Sequence, residues 1–110
     1  MTLLAVFTTV ATADDARTLA QAIVGQGLAA CAQLTPIESV YVWDGAVQQS
    51  PEIRLLFKTT DAMYPTLEAA LRERHPYELP AIHAVAWAQV EPAFGAWVAE
   101  GSSGRAVGRG

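Results

Sequence analysis

Lysine and cysteine each occur once in this chain of 110 residues, as Lys58 and Cys31. A lone cysteine can close no intrachain disulfide and can build no Cys-x-x-Cys metal or redox motif, which suits a reducing compartment. The net charge is -4, so the basic footprint of a nucleic-acid binder is missing. Long apolar runs are missing too. Nothing approaches the ~20 residues that span a bilayer as a helix, so no membrane partner is expected. The opening "TLLAVFTTVATADDA" carries a short apolar stretch, but Thr8 and Thr9 break it and the first basic residue is Arg17. That pattern lacks the charged start of a secretory signal, and the expected location is cytoplasmic. Catalytic signatures are also absent: there is no glycine-rich phosphate loop, no nucleophile elbow and no His-x-x-x-His pair. The adjacent acids Asp14 and Asp15 suit the start of a helix rather than acid–base chemistry. The chain is not expected to be an enzyme.

What the sequence does have is apolar residues, 52% of the total, enough for one core without a disulfide or a structural metal. The expected organisation is a single domain over residues 1–100 and a flexible Gly/Ser-rich tail over 101–110. "TLLAVFTTV" is short and β-branched, which predicts a largely buried strand. "TADDARTLAQAIVGQG" predicts a helix, with Thr12 as its cap, an apolar stripe of Ala16, Leu19, Ala20, Ile23 and Val24, and Gly25 or Gly27 at its end. Next, Asp44-Gly45 is a strong hairpin signal, because a two-residue turn needs positive φ at its centre. Thr35-Pro36 interrupts the first strand of that hairpin, so an edge position or a bulge is expected there. Val40 and Val42 face one side of the arm and Tyr41 and Trp43 the other, giving it two apolar faces.

A second helix is expected from about residue 63, with Pro65 in its first turn and Pro76 stopping it. "AIHAVAWA" reads as a strand, and "EPAFGAWVAEG" as a short helix with Phe94, Trp97 and Val98 inward. This order predicts an α+β fold, a ferredoxin-like βαββαβ sandwich with a long hairpin arm and a short C-terminal helix. Such a fold hosts many functions.

Four ordered stretches, "GLAACAQL" at 27–34, "SVYVWDG" at 39–45, "EIRLLFKTT" at 52–60 and "RHPYELPAI" at 74–82, with Trp97 in the last helix, resemble the CutA divalent-cation-tolerance family. The resemblance implies a homotrimer whose hairpin arms pair across subunits, a link to copper and other divalent cations, and a trimer like that of certain signalling proteins. No reaction is implied. Copper-binding members of that family use a cysteine at the end of the first strand and a second histidine before the motif's own. The corresponding residues here are Thr8 and Arg74, which removes the ligands most favourable to copper.

His75 sits where a helix ends and could serve as a metal ligand or as a cap on a helix carbonyl. His83, eight residues on, can lie up to roughly 26 Å away along an extended chain. The two are not expected to form one chelate, and His83 reads as a surface or interface side chain. Glu78 and Glu52 are the oxygen donors that could join His75 around a weakly bound copper or zinc ion. Lys58, Tyr77 and Trp43, with His75, are candidates to line a cleft between subunits that receives a small ligand, although Lys58 could equally pair with an acid. Cys31 follows two alanines and is expected in the core. Two functions follow: divalent-cation tolerance through weak metal or small-ligand binding at these clefts, or a trimeric signalling or scaffold protein that binds a metabolite or protein partner without metal.

Overall fold

A computed structural model describes residues 1–108. The elements are β1 (Leu3–Val10), α1 (Ala13–Gly25), β2 (Cys31–Trp43), β3 (Ala46–Thr60), α2 (Tyr64–Arg74), β4 (His83–Ala86) and α3 (Pro92–Gly101). The four strands form one antiparallel sheet in the order β2-β3-β1-β4, the expected ferredoxin-like arrangement. Among the described residues, no helix is long and apolar enough to cross a membrane.

Strand alternation sorts the sheet into two faces. Val6, Thr8, Val10, Leu55, Phe57 and Thr59 are buried, and the apolar ones join Ala16, Leu19, Ile23, Leu67 and Leu71 from α1 and α2 in one core. The helices sit there because their stripes repeat at helical spacing and their ends are fixed locally. Thr12 caps α1 by accepting from the Asp15 N–H at 3.1 Å. Pro76 holds His75 in an extended conformation, φ -71° and ψ 134°, and α2 stops there.

β2 and β3 run well beyond this core as the hairpin arm. Asp44 (φ 53°) and Gly45 (φ 73°) form the turn, and the register from Trp43–Ala46 to Cys31–Lys58 is unbroken. Pro36 therefore causes no bulge. β2 is the edge strand, as expected, and there a proline whose nitrogen points outward removes no ladder bond. Both arm faces are open in the single chain, with Val42 71% exposed on one and Trp43 49% on the other.

The other sheet face is covered only in part, by α3. Glu91 caps this helix, its carboxylate accepting the Ala93 and Phe94 N–H groups at 2.9 Å each. Val98 points inward as expected, but Phe94 and Trp97 are 38% and 52% exposed. They stack on each other and, through Phe94, on Trp87, forming an open aromatic row instead of core. One side of a single-layer helix suffices to seat it on the sheet, and Val98 occupies that side. Cys31, expected in the core, is half-buried on the edge strand.

Of the stretch expected as a tail, Gly101 ends α3 and Ser102 is buried. The Gly104 N–H donates to the Gly27 carbonyl at 2.9 Å, and the Val107 N–H to that of Gly25 at 2.7 Å. Gly27 has φ +72°, and a side chain there would run into the backbone of Arg105. Residues 109 and 110 of that stretch lie outside the described residues. Leu71→Ala, which empties a fully buried position, is expected to lower the unfolding free energy by about 2–5 kcal/mol in urea denaturation. The exposed helical change Gln21→Ala is expected to stay within about 0.5 kcal/mol.

Candidate functional site

The site begins with a histidine on the turn that follows α2. His75 is only 9% exposed, and its ring lies against β1. Its Nδ1 accepts the Tyr77 backbone N–H at 3.1 Å, which leaves the proton on Nε2. Nε2–H then donates to Thr8 Oγ1 at 3.0 Å. Both ring nitrogens are engaged, so a metal could bind His75 only if one of these hydrogen bonds were given up. Thr8, at the position where copper-binding relatives were expected to carry cysteine, thus faces the imidazole directly, while Arg74 points to solvent. Burial lowers the His75 pKa, and the Thr9 backbone and the carboxylates of Glu52 and Asp15 offset this only in part.

Tyr77 continues the chain of contacts. Its ring packs against His75 with centroids 5.0 Å apart, and its hydroxyl donates to Glu52 Oε2 at 2.7 Å. Burial would raise the Glu52 pKa, but the facing hydroxyls of Ser39, Tyr77 and Thr9 outweigh it and hold the carboxyl below its usual range. Tyr77 moves the other way: burial and then the Glu52 carboxylate push its hydroxyl well above the ordinary tyrosine value. At neutral pH the pair is a carboxylate accepting from a neutral phenol.

This pair forms the floor of an open cleft of about 460 Å³ between the arm and the Pro76–Ala81 loop. Trp43 and Tyr41 form the arm wall; Glu78, Leu79 and Ala81 form the other. Of the residues singled out in the sequence, Trp43, Tyr77, Glu52 and Glu78 meet here, and His75 lies directly behind Tyr77. Lys58 does not meet them within the chain. Its ammonium sits 5.2 Å from the Phe94 ring centroid, six residues along β3 from Glu52 on the same sheet face, and it has no ion-pair partner among the described residues. His83 is exposed and stacks on Phe7 at 5.4 Å, well apart from His75 in role and contacts. Sequence reading missed Tyr41 and Thr9 as lining residues. The i, i+2 spacing of Tyr41 with Trp43 already placed them on one strand face, a signal that could have found the first.

Among the described residues, no group of three or more His, Cys, Asp or Glu side chains comes together in a way that could hold a metal ion. The carboxylates of Glu52 and Glu78 are the oxygen donors of the cleft, and its aromatic walls suit the apolar body of a small molecule.

The buried neutral imidazole sets a pH dependence. The unfolded chain takes up a proton near pH 6.5, about the ordinary histidine value, whereas the folded one does so only at lower pH. Stability is therefore expected to be full above about pH 6.5 and to decline as pH falls from there toward the depressed folded-state value. In His75→Gln, urea denaturation across pH should show this segment flattened. Thr8→Val, which leaves Nε2–H without an acceptor, should cost about 1–3 kcal/mol at pH 7.

Comparison with known proteins places this geometry. The family model described as CutA1 divalent ion tolerance protein matches residues 4–101. The divalent-cation tolerance protein CutA of Thermus thermophilus is 38% identical over 96 residues, 86% of this chain and 93% of its own length. Protein CutA of Mus musculus is 35% identical over 95 residues, again 86% of this chain, but the match spans only 54% of the longer mouse protein. Among solved structures, CutA from Synechococcus elongatus superposes with a TM-score of 0.90 at 38% identity, covering 93% of this chain and 91% of that one. The Thermus thermophilus structure gives 0.88 at 35% identity, covering 92% and 99%. With the family model spanning nearly the whole sheet and all three helices, the chain belongs to the CutA1 divalent-ion tolerance family.

Proposed function

We propose that this chain acts in divalent-cation tolerance as a cytoplasmic homotrimer, binding a small ligand, or weakly a divalent metal such as copper or zinc, at the cleft beneath the hairpin arm. The observation that carries this is the convergence of Trp43, Tyr77, Glu52 and Glu78 on one open cleft of about 460 Å³. Glu52 and Glu78 are the metal's oxygen donors, and His75 orders the floor by fixing the Tyr77 backbone. The trimer is supported by surface that a solitary chain leaves bare: the arm with Val40, Val42 and Val47 on one face and Tyr41 and Trp43 on the other, and the aromatic row ending at Trp97. An apolar arm of this kind, with an unpaired edge strand, is a hazard unless another chain covers it. Pairing with neighbouring arms would place the cleft near a subunit boundary. Lys58, six residues along β3 from Glu52 and so about 20 Å away on the same face, would reach a cleft only across that boundary.

A second reading, a trimeric signalling or scaffold protein that binds a metabolite or protein partner without metal, draws on the donor set. Copper and zinc favour imidazole and thiolate, and here the one nearby imidazole is engaged at both nitrogens. Calorimetric titration of Cu(II) and Zn(II), with light scattering on the same samples, separates the two. A mass near three times 11.7 kDa, and saturable binding abolished in Glu52→Gln but retained in His75→Gln, is expected for the first reading. No saturable binding of either metal by a trimer leaves the second, and a monomer would sink both.

A further inference from the structure

The cleft has a charge pattern that narrows what can occupy it. Its lining includes two carboxylates, those of Glu52 and Glu78, and, among the described residues, no lysine, arginine or histidine side chain. Neither acid has an ion-pair partner among the described residues. The cations nearest in the fold are turned elsewhere. Arg54, two residues along β3 from Glu52, lies over the Phe7 ring at 5.6 Å and lines the adjacent smaller cavity. Arg72 borders the groove on the other side of Glu78 and faces Glu68 at 3.9 Å. His75 stands behind Tyr77 with its ring neutral and both nitrogens engaged. Three aromatic side chains, Tyr41, Trp43 and Tyr77, line the same space.

We infer that the ligand of this cleft is an organic cation, an alkylammonium or related group whose charge meets Glu52 and Glu78 while its body lies against Trp43, Tyr41 and Tyr77. The inference rests on the reading of the cleft as the binding site and names the class of ligand. An anion would meet two negative charges with no basic side chain among the chain's described residues to offset them. A hard divalent ion takes six or more oxygens and gains little from aromatic walls, and two carboxylates leave most of its shell to water. A weakly hydrated ammonium gains from both parts of the lining, because aromatic faces attract cations electrostatically and stay in contact with methyl or methylene groups. The carboxylate that accepts from Tyr77 is held ready without a protein cation, so binding breaks no internal ion pair. The volume, about 460 Å³, fits a small molecule rather than a bare ion.

The test uses the intact protein labelled with nitrogen-15, following the Trp43 indole N–H, assigned with Trp43→Phe. Three probes are titrated separately: butyltrimethylammonium chloride, sodium butyrate and zinc chloride. A saturable shift with the ammonium, weakened roughly tenfold in Glu52→Gln and again in Glu78→Gln, and no shift with butyrate, is the expected result. Because Glu52→Gln also alters the Tyr77 contact, the exposed Glu78→Gln keeps the test independent of that pair. A Glu52-dependent shift with zinc or a saturable shift with butyrate, and none with the ammonium, would overturn the ligand class while leaving the cleft as a binding site. No shift with any probe would overturn the class and the cleft reading together.

Discussion

The cleft depends on one buried imidazole. His75 receives a backbone N–H from two residues ahead and gives its own proton to a threonine hydroxyl sixty-seven residues behind, so one ring joins the end of α2 to the last part of β1. Tyr77, oriented by that contact, reaches across to Glu52 on β3. Three elements distant in sequence are thereby held by three hydrogen bonds among four side chains and one backbone group. A neutral ring is required, since a charged imidazolium would lose its acceptor nitrogen and bear the cost of burial. The same ring that orders the site also restricts its use as a metal ligand, so the two roles compete for the same lone pair.

The second constraint is the long unbroken register between β2 and β3. With a turn that tolerates positive φ only at Asp44 and Gly45, the pairing of thirteen residues of β2 follows without slippage, and every side chain of the arm is assigned a face. Tyr41 and Trp43 therefore arrive over Glu52 by the arithmetic of alternation. Pro36 does not disturb this because the edge strand has a free side. That free side is also what leaves the arm's apolar surface and β2 open in the single chain, so the feature that places the aromatic wall creates the demand for a partner.

Much of the fold was legible because its signals are local. The Thr12 cap, the Asp44-Gly45 turn, the Pro76 stop and the stripe of Leu19 and Ile23 each act within a few residues, and together they determine the order of elements. The site was legible only as a set of residue types. Trp43, Tyr77, Glu52 and Glu78 could be named, but their meeting depends on how the loop after α2 folds back over β3, a long-range outcome. Thr8 facing His75 is of the same kind. Phe94 and Trp97 show the converse error: aromatic residues at helical spacing suggest a core, yet α3 has sheet on one side only, and Val98 takes that side.

Lys58 illustrates how a single chain divides its charges. The strand that carries it also carries Arg54 and Glu52 on the same alternation, so all three start on one sheet face. They separate by what each finds there. Lys58 finds the Phe94 ring at one end, and Arg54 finds Phe7 in the middle. Glu52 finds the Tyr77 hydroxyl at the end nearest the arm. The two cations are thus satisfied by aromatic faces rather than by the acid on their own strand. Glu52 keeps a negative charge that no basic group of the described chain neutralises, and with Glu78 it gives the cleft its sign. A negatively charged, aromatic-walled cleft in a protein with one lysine follows from where the strand's neighbours lie. Moving the Phe7 ring would free Arg54, two residues along the strand, to turn toward Glu52 and offset that charge.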